Sequence, residues 1–124
     1  MNIKPIELRI GNLFQDVYNQ VNEVTAGTLM YLRDADDEQA KNVKPIPLSD
    51  QWLSKFGFIE TEKMYIIKHG VIKYILTEDH HGFVFGIVNN FNIEWFSWEI
   101  KYVHQLQNLY FSITGEELTI IVPH

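Results

Sequence analysis

The stretch Ile100 to Gly115, IKYVHQLQNLYFSITG, decides the fold. At about 100° per residue, Val103, Leu106, Leu109, Tyr110 and Ile113 fall on roughly a third of the circumference, with Tyr102 on the same flank. That periodicity predicts a helix with one buried face, and Gly115 stands where a left-handed residue closes the last turn. Lys101, His104, Gln105, Asn108 and Ser112 occupy the opposite side. Phe111 sits among them, an aromatic well off the core stripe.

Upstream of this helix the period changes from 3.6 to 2. Met64 to Lys68, the turn His69-Gly70, and Val71 to Leu76 predict a tight hairpin. Thr77 to Gly82 is a longer turn, and Phe83 to Val88 a strand with Phe83, Phe85 and Ile87 on one face. Asn89 to Asn92 turns again, and in Ile93 to Glu99 the residues Phe96 and Trp98 oppose Trp95, Ser97 and Glu99. Four antiparallel strands therefore lead into the helix, which is expected to pack on one face of their sheet. Beyond Gly115, Leu118 to Val122 is strand-like up to Pro123, and such a tail either pairs with a second copy of the chain or folds back internally.

The N-terminal part reads as a further meander over residues 13–32. Gln20 to Thr25 alternates, Ala26-Gly27 makes a reversal, and Thr28 to Leu32 supplies a last strand, a pattern open to an SH3-like curl. Arg33 to Gln39 is an acidic tract that reads as a solvated loop or a frayed helical turn. Lys44-Pro45-Ile46-Pro47-Leu48 is extended, because each proline fixes its own φ and restricts its predecessor. A short bridging helix, Asp50 to Phe56, follows the N-cap Ser49 and ends at Gly57, with Trp52, Leu53 and Phe56 facing inward. The expectation is one α+β domain over residues 1–124.

Composition limits function. Of 124 residues, 46% are hydrophobic and 14% aromatic, enough for a core without staples, and no cysteine offers a disulfide, thiolate or zinc-cysteine site. No run of about 18 apolar residues and no signal-peptide pattern occurs, so the expected location is cytoplasmic, with no membrane partner. The net charge is −6 and the ten Lys and Arg residues are scattered, which disfavours nucleic acid.

Chemical motifs are few. His80 and His81 follow Glu78 and Asp79, but adjacent residues of an extended chain point to opposite faces, so no metal site is expected. His69 in a turn and His124 at the terminus read as solvated. No nucleophile elbow, phosphate loop or dinucleotide fingerprint occurs; no catalytic residue and no cofactor is assigned. The long helix offers the better candidate: His104, Asn108 and Phe111 at i, i+4 and i+7 form a row bordered by Gln107, and Trp95 is a second aromatic outside the inward set. Such a row serves as a small-molecule contact, a partner-protein hot spot or a second layer of the core, and the core layer is the favoured reading, because the N-terminal meander has to pack somewhere and a helix between two layers is the economical place. Trp95 and Phe111, if exposed, would be anchors of the kind enriched at interfaces.

Three blocks, Glu7-Leu8-Arg9-Ile10-Gly11-Asn12, then Pro45-Ile46-Pro47-Leu48 with Lys55-Phe56-Gly57-Phe58, then Tyr102 to Phe111 with Thr114-Gly115-Glu116-Glu117-Leu118, span most of the chain. In order and spacing they resemble a family of small uncharacterised proteins encoded in phages and prophage-like elements of gut Bacteroidetes. The resemblance implies an intracellular protein of mobile-element origin and carries over no activity. This chain runs on past the Glu-Glu-Leu block with Thr119 to His124. The expected function is a non-enzymatic module binding a host or phage protein. The alternatives are a ligand-binding or enzymatic domain using His104, Asn108 and Phe111, and a nucleic-acid accessory protein with a basic patch of Lys63, Lys68, Lys73 and Lys101.

Overall fold

A computed structural model describes residues 7–96 and 99–121. It is an α+β protein with a two-stranded and a five-stranded antiparallel sheet and a C-terminal helix. The chain forms two compact units, one within Met1–Pro47 and Tyr102–Ile113, the other within Leu48–Lys101 and Thr114–His124.

In the first unit, β1 (Leu13–Gln15) pairs with β2 (Val21–Glu23). The Asp16 carboxylate ties their connection by accepting from the backbone N–H groups of Tyr18 and Gln20 at 2.9 and 3.0 Å. The other edge of β1 is met by Lys44, which exchanges two backbone hydrogen bonds with Gln15. The expected third strand at Thr28 to Leu32 is instead the helix α1 (Ala26–Asp34). Thr25 caps it and Thr28 bonds back to the Thr25 backbone, so Ala26-Gly27, which read as a reversal, lie inside a capping box and open the helix. Two strands and one helix thus stand where a meander over residues 13–32, open to an SH3-like curl, was expected. The acidic tract carries the single turn α2 (Asp37–Ala40), capped by Asp36. Leu8, Phe14, Val24, Leu32 and Val43 bury themselves together, with Leu29 and Ala40 packed against them.

The long helix α4 (Val103–Thr114) belongs to this unit for nearly all its length. The Gln105 side chain accepts from the Tyr102 N–H at 3.1 Å, and the Val103 N–H donates to Ile46 O, so two of the amides left open at the helix start are satisfied. Gly115 has φ +75° and closes the C-terminus as its sequence position predicts.

The second unit opens with α3 (Asp50–Lys55), capped by Ser49 as expected. Its Leu53 and Phe56 are buried, while Trp52 is half-buried against Phe56 and beneath the Lys55 ammonium. A meander of five strands follows: β3 (Ile59–Thr61), β4 (Met64–His69), β5 (Ile72–Asp79), β6 (Gly82–Asn89) and β7 (Asn92–Trp95), adjacent in chain order. β3 is an addition to the four strands read from the sequence. Its turn to β4 holds Glu62 and Lys63 both at positive φ. One face of the sheet carries Tyr74, Leu76, Phe83 and Phe85, all buried, with Phe85 stacked between Tyr74 and Phe96. Leu118 is buried, and the Ile121 N–H donates to Lys55 O, while the described residues of the tail form no strand. The readings of Ser97, Trp98, Val122, Pro123 and His124 lie outside the described residues.

Candidate functional site

The helix row is not an accessible surface. His104 and Gln107 are each only 2% exposed, although His104 stands opposite the apolar stripe of α4. Residues 7–13 take up its polar groups instead. Asn108 Oδ1 accepts from Arg9 Nε and from Asn12 Nδ2, each at 2.8 Å, and Asn108 Nδ2 donates to Glu7 O at 2.9 Å. Gln107 Oε1 accepts from the Leu13 N–H at 2.9 Å and its Nε2 donates to Gly11 O at 3.4 Å. Arg9 also donates to Gln107 O at 3.2 Å, and its guanidinium lies over the Phe111 ring, 4.3 Å from the centroid. Phe111 is 38% exposed, so the apparently misplaced aromatic is half a platform for Arg9. The amides of Gln107 and Asn108 bind the N-terminal segment, which leaves a ligand little polar capacity to recruit.

His104 differs from its neighbours. Its ring stacks on Tyr102 at 5.9 Å, and neither ring nitrogen has a hydrogen-bond partner among the described residues. Burial pushes its pKa below the ordinary histidine value, opposed by the charge of Glu7. A neutral imidazole held in this way contributes packing and no proton chemistry near pH 7.

Trp95 lies in the second unit and leads to a different surface. The strand register places Ile59, Ile66, Ile75, Gly86 and Trp95 opposite one another in a single row across all five strands. Alternation puts this row on the face away from Tyr74, Leu76 and Phe85. A Cβ at Gly86 would stand 2.8 Å from Trp95 Cε3 and 3.0 Å from Ile93 Cγ2, so the glycine leaves room for the indole to lie across the sheet. The row ends in solvent at both edges: Ile59 is 71% exposed and Trp95 43%, while Ile75 in the middle is buried at 4%. Met64, Val84, Val88 and Ile93 flank it, all half-buried. Charge enters this face only at its ends, with Lys68 directly opposite Lys73 at one and Asp79 at the other. Beside Ile59, a mainly apolar cleft of about 450 Å³ is lined by Ser54, Lys55, Gly57, Phe58 and Ile121.

The remaining candidates are not brought together. Lys68 and Lys73 are cross-strand neighbours, Lys63 lies in the turn at the opposite end of β4, and Lys101 stands 4.0 Å from Glu99, so the four lysines form no common patch. His80 and His81 are exposed in the β5–β6 turn, and no metal-capable cluster of three side chains occurs among the described residues. No described helix is long and apolar enough to cross a membrane. Comparison with protein-family models, curated proteins and solved structures gives no match.

Proposed function

We propose that the protein is a non-enzymatic interaction module of phage or mobile-element origin, acting in the cytoplasm, that binds a host or phage protein through the outer face of the five-stranded sheet. The observation that carries this reading is the Ile59-Ile66-Ile75-Gly86-Trp95 row, apolar on every strand and ending in two exposed large side chains. A bland role exists for Trp95, since a tryptophan laid over a cross-strand glycine repairs a weak point in a sheet. That role explains the indole and leaves Ile59 unexplained. Large apolar side chains left exposed beside one another on a sheet face are typical of contact sites, and tryptophan is among the residues enriched there. Origin from a mobile element rests on the three sequence blocks alone.

The test is capture from host and phage-infected lysates with wild type, Ile59→Lys and Phe111→Asp, followed by affinity measurement on the purified partner. A loss of about tenfold or more for Ile59→Lys, with Phe111→Asp unchanged, supports this surface. Equal binding by all three proteins removes it.

A further inference from the structure

We propose that the outer face of the five-stranded sheet pairs with the same face of a second copy of the chain, its strands antiparallel to those of the first. This rests on the interaction reading above and names a partner for that surface. Two features select it. The first is area. Four strand spacings of about 4.8 Å give a width near 19 Å, and the six steps from Lys73 to Asp79 give a length of about 20 Å. That is about 400 Å² of plane per copy and, with the corrugation of side chains, about 1,000 Å² of surface in total, the threshold for a specific but weak dimer.

The second is charge. Lys68 and Lys73 lie one side-chain step to one side of the apolar row, and Asp79 lies two steps to the other. Like charges directly opposite one another weaken a strand pair, so the two lysines stand where an acidic group would be favourable. A two-fold axis running along the strands would stack these lysines on their own copies. An axis along the row instead sets Ile59, Ile66 and Trp95 against themselves and brings Lys73 beside Thr77 of the second copy, one step short of Asp79 there. The four-carbon stem of Lys73 covers that step. Sheets packed face to face tolerate this arrangement with the usual twist of about 30° between strand directions.

Sedimentation velocity of untagged protein from about 1 to about 500 µM tests the proposal, with circular dichroism checking that each variant is folded. Wild type is expected to move from monomer to dimer with a midpoint in the micromolar range. Lys73→Glu is expected to weaken the dimer about tenfold or more, and adding Asp79→Lys to restore it, because the swap keeps opposite charges facing. Ile59→Lys, at the exposed end of the row, is expected to weaken it without touching the core. A chain that stays monomeric throughout, a dimer indifferent to both variants, or a charge swap that fails to restore association would each overturn the proposal. Continued capture of another protein by a monomeric wild type, lost in Ile59→Lys, would leave the interaction reading standing alone.

Discussion

Replacing His104 with leucine should stabilise the protein, and more so in acid. Both ring nitrogens are buried without partners, and a buried unsatisfied polar group costs about 1–3 kcal/mol. Against this stands the stack on Tyr102, worth roughly 0.5–1.5 kcal/mol beyond area. At about pH 7.5 the net expectation is a gain of about 0–2 kcal/mol. The pH dependence separates this reasoning from a simple packing effect. Burial lowers the folded-state pKa of His104 below its unfolded value of 6.5, so in acid the unfolded chain binds a proton that the folded chain resists. Wild-type stability from this group is therefore complete above about pH 6.5 and falls, as pH drops toward the folded pKa, by up to about 1.4 kcal/mol per unit. The variant lacks that loss. Urea denaturation at about pH 7.5, 6.5 and 5.5 reads the difference from the midpoints at constant slope. A gap that stays level, or that narrows in acid, would show that His104 is not held neutral.

Three further outcomes follow from particular contacts. Asn108→Ala removes the acceptor shared by Arg9 and the fully buried Asn12 and the donor to Glu7 O, so it should cost roughly 2–4 kcal/mol by guanidinium denaturation; a loss under about 1 kcal/mol would mean these bonds are replaced by water. Lys63→Gly relieves a side chain held at φ +69° and should stabilise by about 1 kcal/mol, seen as a higher melting temperature; no change would place the strain elsewhere. Gly86→Ala forces the Trp95 ring and Ile93 aside and should cost about 1–3 kcal/mol, with a red shift in tryptophan emission; an unshifted spectrum would mean that the indole has room to spare.

The elements that sequence made legible were those whose period and end signals agree. Val103, Leu106 and Tyr110 recur at helical spacing before a glycine, and His69-Gly70 and Asn89-Asn90 punctuate alternating runs, so α4 and the central hairpins follow from local rules. α1 was hidden because Gly27 and Thr28 are poor helix formers, and its capping box uses threonine at both positions instead of the usual glutamate. β3 is three residues long with all of them exposed, too short for alternation to register.

The helix row reads from the sequence as a second core layer, but what covers it is not local. His104, Gln107 and Asn108 are polar, and polarity ordinarily reports an outward face; here the partners are backbone groups and the Arg9 and Asn12 side chains nearly a hundred residues away. The one local hint was Arg9-Ile10-Gly11-Asn12 itself, a turn rich in hydrogen-bonding capacity that has to be satisfied somewhere. Trp95 stands on the face away from Tyr74 and Phe85, and its row is invisible in the sequence because only the register places Ile59 and Ile66 beside it.

Oxidative footprinting across the interaction addresses the central claim most directly. Labelling of Ile59, Ile66, Trp95 and Phe111 would be compared in dilute protein alone, in concentrated protein, and in dilute protein with any captured partner. The account predicts protection of Ile59 and Trp95 in at least one bound state while Phe111 stays labelled. Protection centred on Phe111, or an outer sheet face labelled equally in every state, would contradict it.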